Sequence, residues 1–496
     1  MKKMSLIALA VMTGIVVAHA QSKYDQYYEN SPIEIEHVQP VQFPSLTVNL
    51  MSYGAVGDGT TLCTDAFKAA IEDLAKQGGG HLIVPRGTWK TGPIVLKSNI
   101  NLHLRQGATI LFSEDKTLYL EYDKDGSLKE KCVPCIKAAK CENIGITGNG
   151  VIDGQGFFWR ALKEKKVKRG GEDQVWEEAM KLGGVTKPDD KTYKLWYPFN
   201  LKNGIPNIAP TAEAQEKMRY HLINITDSKN VIVQGVTLRN SPKFHLVPTR
   251  IQNLIIDGIT VDCPWWAQNG DAMDIGNTQV CLVVNCKINC GDDGICMKGG
   301  VGDRGRDAGP NRDFMITNDT VYRAHGGFVI GSEFSGGMQR LIVRNCVFDG
   351  TDIGLRFKSA PGRGGWCEDI ICQDIVMKNI RENAIFFETG YADRSTGRSA
   401  TATDDKSQYF PDFGNFTFRN ITCVSPTGAV QLTGMKGLPV HDLTFDNVRF
   451  IGVKKNGLKH KFAERLTFTS CTISGGSGNN IDQKTCKDIK WDGSNL

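Results

Sequence analysis

"NVIVQGVTL", residues 230–238, sets apolar side chains at its second, fourth, seventh and ninth positions and a glycine at its sixth. The same nine-residue frame returns as "NLIIDGITV" from Asn253, "VCLVVNCKI" from Val280, "DFMITNDTV" from Asp313 and "RLIVRNCVF" from Arg340. It continues as "DIICQDIVM" from Asp369, "NFTFRNITC" from Asn415, "DLTFDNVRF" from Asp442 and "RLTFTSCTI" from Arg465. Successive seventh positions lie 23 residues apart at the closest (Val236 to Ile259) and 46 at the widest (Ile375 to Ile421). Alternation within the unit reads as strand. Recurrence near every 25 residues, with insertions of variable length, reads as a solenoid. One unit is too small to bury its own inward face. Stacked units bury a continuous core, with parallel strands about 4.8 Å apart between coils. The expected fold is therefore all-β, a parallel β-helix of about ten coils. A leucine-rich horseshoe would need a leucine-and-asparagine consensus that is missing, and a propeller would need more hairpin signals.

The repeat also accounts for several cysteines. Cys286, Cys346 and Cys471 share the inward seventh place and are read as small core hydrophobes. Fifteen cysteines is an odd number, so at least one thiol stays unpaired within the chain or pairs between chains. Cys132 and Cys135 have weak zinc spacing and are read as a loop disulfide or two inert thiols.

Outward from the repeat, Asp58 begins a stretch in which Ala66 to Ala75 has helical spacing. Thr64 or Asp65 is its expected cap, and Gly78 to Gly80 close it. Such a helix would cover the open N-terminal end of the solenoid, whose bare strand edges would otherwise invite aggregation. Residues 1–20 read as a secretory signal: Lys2 and Lys3, an apolar run from Ser5 to Val17, then Ala18-His19-Ala20. Residues 21–45 form an extended lead-in, and 46–496 the β-helix, interrupted by an irregular charged insertion over 159–220. That insertion would wall one side of a cleft; Trp159, Trp176, Trp196 and Tyr197 in it would either stack on sugar rings or build a small apolar core. The chain of 496 residues is 40% hydrophobic, enough for a large core, and a net charge of +5 without clustered basic residues argues against a nucleic-acid partner. No later stretch is apolar enough to span a bilayer. A monomer, exported to the periplasm or beyond, is expected.

"NCGDDGICMKGG", residues 289–300, sets two carboxylates side by side. A pair of this kind alone is usually a solvated turn. The strand that follows each unit's turn gives the context. Its inward residues are Met273 and Ile275 in one coil, Ile295 and Met297 in the next, then Phe328 and Ile330, then Leu355 and Phe357. Aligned on these pairs, Asp271 stacks on Asp293, Asp292 on His325, and Lys298 and Lys358 flank Gly331. Arg356 points outward. Three carboxylates, an imidazole, an arginine and lysines thus share one face. Glycosidic hydrolysis needs a carboxylic acid to protonate the leaving oxygen and a carboxylate to activate water, roughly 6.5–9.5 Å apart for inversion. Crowding would raise one of the carboxyl pKa values. Arg356 and Lys358 could grip a substrate carboxylate. Calcium on the stacked carboxylates, serving a β-eliminating lyase, is the competing reading; His325 argues mildly against it.

At these residues the chain resembles the polygalacturonases, family 28 of the glycoside hydrolases, which carry four ordered motifs. They stand here as Asn269-Gly270-Asp271, Gly291-Asp292-Asp293, Ala324-His325-Gly326 and Arg356-Phe357-Lys358, with Tyr391 further on. The resemblance covers roughly residues 46–490. It implies a right-handed β-helix that cleaves α-1,4-galacturonosyl linkages of pectin with inversion, without metal or cofactor. Asp292 would be the general acid and Asp271 and Asp293 the water-activating bases. His325 would tune the acid. Arg356, Lys358 and Tyr391 would bind galacturonate, Asn269 would orient the site, and Lys298 and Glu333 would support it. Gly270, Ala324 and Phe357 depart from the family's usual residues, at scaffold positions. A rhamnogalacturonan-type hydrolase of the same family stays open as the alternative. The insertion over 159–220, by closing one end of the cleft, favours exo action.

Overall fold

Each nine-residue unit bends twice, and both bends use left-handed backbone. The first residue has φ between 51° (Arg340) and 67° (Asn253), and the sixth between 52° (Asn420) and 74° (Gly235). Asn, Asp and Gly tolerate this region best, which explains the composition of the sixth place. The stretch between the bends is a short strand, and a second begins at the eighth place, as in Ile223–Gln234 and Thr237–Arg239.

The computed structural model describes residues 22–127, 129, 132–160, 162–163, 177, 195–196, 218–391 and 409–494. Among these, 34 strands join into one sheet wound on itself, and every strand pairs in parallel with its equivalent one coil away. One row of strands runs from Ile94–Val95 to Asn480–Ile481 through eleven successive pairings, hence twelve rungs. That is more than the nine units of the repeat. The early coils escape the frame because their turns are longer. Thr237 stands seven residues after the bend at Asn230, but its partner Val151 stands eight after Asn143, and Thr109 ten after Asn99.

The inward residues form one continuous core, in which Cys286, Cys346 and Cys471 are at most 1% exposed. Phe418, Phe445, Phe468 and Trp491 stack through consecutive coils at 4.5–4.9 Å between rings. Along one edge, asparagine amides form a ladder: Asn253 donates to Asn230, Asn230 to Asn143, and Asn143 to Asn99. All fifteen cysteines are free thiols. Cys132 and Cys135 are buried and unjoined, and burial pushes the Cys132 thiol up to about 12.

Helix α1 (Thr64–Lys76) buries Ala66, Phe67, Ala70, Ile71 and Leu74 against the first coils. Its cap position is Cys63, not Thr64 or Asp65. Thr64 cannot serve as cap because its Oγ1 accepts the Gly92 amide at 2.7 Å. The lead-in crosses the outside of the coil as a strap. Tyr24, Tyr28, Ile35 and Val38 bury themselves on outward-facing Ile255, Leu282, Met315 and Ile342, a second and separate core. Asn253 exchanges two amide hydrogen bonds with the Gln39 backbone, and Arg344 donates to the carbonyls of Tyr27, Glu29 and Asn30.

Residues 1–20, read as a signal, lie outside the described residues. So does most of the expected cleft wall; of it, Leu162–Lys163 pairs antiparallel with Leu195–Trp196. Trp159 is 2% exposed and meets Tyr119 and Tyr220 edge-on, so it is a core residue and not a sugar platform. Trp176, Tyr197 and the Trp196 side chain lie outside the described residues. No helix among the described residues is long and apolar enough to cross a membrane.

Candidate active site

Five strands of one row carry the site: β1 (Leu246–Asp257), β2 (Met273–Gly276), β3 (Ile295–Lys298), β4 (Gly326–Ile330) and β5 (Ile353–Lys358). Met273 pairs with Ile295, Ile295 with Phe328, and Phe328 with Leu355, the register expected from the inward pairs. The Ala272 amide accordingly donates to the Asp293 carbonyl, and the His325 amide to the Asp292 carbonyl. The result is a cleft of ≈ 790 Å³ in which Asp271, Asp292, Asp293, His325, Arg356, Lys358, Lys298, Asn269 and Tyr391 all take part.

The three carboxylates differ sharply in surroundings. Asp293 is 2% exposed, and each of its oxygens accepts from a cation: Oδ1 from Arg356 at 3.0 Å and Oδ2 from Lys358 at 2.8 Å. Burial pushes its pKa up, but Lys358 and Arg356 outweigh burial and hold it at about 2. Asp271, one coil away, has no such partner, and its Oδ1 accepts no hydrogen bond. Burial, reinforced by Asp274, Asp292 and Asp293, pushes Asp271 well above the usual carboxylate range. Asp292 is more open. Its Oδ1 lies 2.9 Å from His325 Nδ1, and its Oδ2 accepts the Asn269 amide at 3.2 Å. The structure thus sets a carboxyl held low by two cations beside one pushed up by burial, with a third tied to an imidazole. An expected raised pKa is present, and it falls on Asp271.

The remaining site residues are tied to each other. Lys298 Nζ lies 3.2 Å from Glu333 and 3.7 Å from Asp274. The Tyr391 ring faces Arg356, Lys358 and Arg363 at 5.2–5.9 Å. Asn269 acts through its backbone on Asp292, and its side chain accepts from Arg219 at 2.9 Å. Arg356 and Lys358, expected to face substrate alone, first neutralise Asp293. Lys358 reaches two coils across to Asp293, and the intervening coil carries glycines that make room for Lys298 and Arg356. A Cβ at Gly331 would sit 2.9 Å from Lys298 Nζ, and one at Gly326 3.2 Å from Arg356 Cβ.

Sequence reasoning passed over Asp274, Asp352 and His245. Asp274 carried a signal: it stands between inward Met273 and Ile275 as Arg356 stands between Leu355 and Phe357. It is 2% exposed, neither oxygen accepts a hydrogen bond, and burial, partly offset by Lys298, raises it to about 6. Asp352 lies 3.7 Å from His325 Nε2, so the imidazole sits between two carboxylates. His245 is fully buried, and both its amide and its ring Nδ1 lie 2.9 Å from the Asp271 carbonyl. Burial lowers it to about 3, so it is a neutral prop.

The raised Asp274 carries a stability consequence. Its folded pKa exceeds the ordinary 3.8, so the folded state binds the extra proton and stability falls as pH rises from about 4 to about 6. Asp274→Asn removes this cost. Its unfolding free energy, read from denaturant melts, should gain on wild type between pH 4 and pH 7, by at most about 3 kcal/mol. An unchanged difference across that range would show that Asp274 is ionised throughout.

A groove of carboxylates, one imidazole and paired cations on a parallel β-helix defines a carbohydrate-cleaving site of acid–base type. The model of the glycosyl hydrolases family 28 matches residues 207–471, and the chain belongs to that family. Its fold is the right-handed parallel β-helix. It is 28% identical to the exo-poly-alpha-D-galacturonosidase of Dickeya chrysanthemi over 426 residues, 83% of this chain and 68% of that protein. The crystal structure of a hyperthermoactive exopolygalacturonase from Thermotoga maritima superimposes with a TM-score of 0.65 at 28% identity, covering 90% of this chain and 94% of that one. The family 28 exopolygalacturonase of Yersinia enterocolitica shares the fold, with a TM-score of 0.69 at 22% identity over 91% of this chain and 80% of that one.

Proposed function

We propose that this protein is an exo-acting polygalacturonase that releases terminal galacturonate from pectic homogalacturonan or its oligosaccharides. The observation that carries this reading is the meeting of Asp271, Asp292 and Asp293 on two adjacent coils with Arg356 and Lys358 beside them. The relatives from Dickeya and Thermotoga, an exo-poly-alpha-D-galacturonosidase and an exopolygalacturonase, support the exo mode. Asp292, the most open of the three and hydrogen-bonded to His325, delivers the proton to the leaving oxygen. His325, held between Asp292 and Asp352, keeps that proton in place. Asp293, ionised, accepts the proton of the attacking water as the water oxygen bonds to the anomeric carbon, and Asp271 faces the same water. Arg356, Lys358 and Tyr391 receive the acidic sugar, with Asn269 and Lys298 fixing the groups around them.

Inversion follows from how Asp293 is held. Asp292 and Asp293 approach within 4.8 Å, closer than the gap expected for inversion, so separation alone would favour a covalent route. Each oxygen of Asp293 is held in place by a cation, which keeps the carboxylate from swinging onto the anomeric carbon while leaving a lone pair to accept a water proton, so water is the attacking group. The same two cations disfavour calcium at Asp292, Asp293 and His325, because a divalent ion would meet fixed positive charge there. Residues 46–496 form the catalytic β-helix, and residues 1–20 direct export of a monomeric enzyme.

Incubation with defined oligogalacturonides, followed by chromatography and proton NMR, tests this. Monomer as the first product, in the anomeric form opposite to the linkage, is expected. A ladder of sizes would make the enzyme endo-acting. Unsaturated, ultraviolet-absorbing ends abolished by chelator would replace hydrolysis with elimination.

A further inference from the structure

The cations of the cleft are nearly all committed. Arg356 and Lys358 hold Asp293, Lys298 is shared by Asp274 and Glu333, and Arg250 is clamped on Asp227 at 2.5 and 2.8 Å. Lys243 lies over the Phe244 ring at 5.2 Å. Arg304 also lines the cleft, is exposed, and among the described residues its guanidinium has neither ion pair nor hydrogen bond.

Arg304 stands on α2 (Gly302–Asp307), a single turn inserted after β3. This turn is seated on the strands beneath it. The Asn277 side-chain amide donates to the carbonyls of Gly299, Gly305 and Gly309. The Gly302 amide donates to Ser335 Oγ at 3.0 Å, and Tyr409 donates its hydroxyl to Asp303. Gly305 is buried, and a Cβ there would fall 2.6 Å from the Gly299 carbonyl oxygen. An uncommitted guanidinium is therefore presented from a fixed backbone.

Its position relative to the other cations matters. Asn277, under α2, follows Gly276, which pairs with Lys298 one coil later. Lys358 lies two coils beyond Lys298. Because α2 follows Lys298 and is anchored both on Asn277 one coil before it and on Ser335 one coil after it, Arg304 lies about two coil steps, roughly 10 Å, to the N-terminal side of Lys358. Asp292 and Asp293 stand on the coil of Lys298 and Asp271 on the coil before it, so the carboxylates face the cleft at the Arg304 level and not at that of Lys358. A sugar bound at Arg356 and Lys358 would thus leave its neighbour across the scissile bond on the Arg304 side.

We propose that Arg304 binds the carboxylate of the acidic sugar on the N-terminal side of the scissile bond. It selects for a chain charged on both sides of the cut. This rests on the polygalacturonase reading and adds a specificity-determining residue to it. A guanidinium can take a carboxylate as a two-pronged pair, and here no internal carboxylate has to be displaced.

The test compares trigalacturonate with its fully methyl-esterified form. Arg304→Ala should lower kcat/KM for the acid by about ten- to a hundredfold, mainly through KM. It should change turnover of the ester by less than about threefold. Arg304→Lys should recover part of the loss. Equal loss on both substrates, or no loss on the acid, overturns the assignment. Calorimetric titration of trigalacturonate into wild type and Arg304→Ala, each carrying Asp292→Asn, gives a reading independent of turnover. Binding by the first and about tenfold weaker binding by the second is expected. Equal binding overturns the assignment. If wild type cleaves trigalacturonate while Arg304→Ala behaves identically, only this inference falls. If wild type neither binds nor cleaves it, the proposed function falls as well.

Discussion

Asp292→Asn will lower kcat on oligogalacturonide by about 10²- to 10⁴-fold and leave affinity within about threefold. The amide keeps the shape of the carboxyl group and keeps an acceptor for the Asn269 amide, so the cleft stays formed. It cannot deliver a proton to the leaving oxygen. The change also removes the titrating group beside His325 Nδ1, 2.9 Å away, so the pH profile loses one limb. Stopped-time product assays and calorimetric binding on the same preparation decide the matter. Full turnover by the variant would remove Asp292 from the chemistry and favour a binding protein on the same scaffold.

Lys358→Ala will cost more than substrate recognition. Lys358 is 6% exposed, and its ammonium lies 2.8 Å from the buried Asp293 carboxylate. Taking away one partner of a buried pair leaves the other charge uncompensated, a loss of about 3–5 kcal/mol in stability. The sign of the pH effect follows. Asp293 is depressed to about 2 from an ordinary 3.8, so its contribution is present above about pH 4 and lost as pH falls through about 2. Without Lys358 that pKa rises. The acid limb of kcat/KM should move to higher pH, and kcat as well as KM should suffer. Thermal unfolding and a pH–rate series measure both. Adding Asp293→Asn to Lys358→Ala should restore stability above the single variant. If the double variant is less stable than the single, the two residues do not form the coupled pair described.

Why the site's skeleton was legible, and its charges were not, comes down to two kinds of information. Alternation at a period of two fixes which residues face inward, and the inward pairs fix the register between coils. Asp271 over Asp293 and Asp292 over His325 follow from that alone, and the pairings of Met273, Ile295, Phe328 and Leu355 agree. The partners of each side chain depend on reach instead. Lys358 reaches Asp293 across an intervening coil, and Gly331 and Gly326 leave room there for Lys298 and Arg356. No pattern in the sequence announces that a lysine will skip a coil. The early coils were missed for a different reason: the added residues before Thr109 and Val151 lengthen the turn and carry the next strand out of the nine-residue frame. The strap was read only as extended, since its apolar residues have no period and their receiving face belongs to another part of the chain.

That strap has a kinetic meaning. Arg344 holds the carbonyls of Tyr27, Glu29 and Asn30 from more than 300 positions further along the chain. A polypeptide made from its N-terminus therefore has to carry Tyr24, Tyr28, Ile35 and Val38 uncovered until the receiving coils have begun to wind, and the clasp is complete only with the coil of Arg344. Docking is then a late event that closes a very long loop, and such events are slow. The same contact works in reverse: it clasps the coils from Asn253 to Arg344 from outside, so unwinding between them requires the clasp to open first. Resistance to unfolding should reside there, in a fastening distant from the cleft it protects.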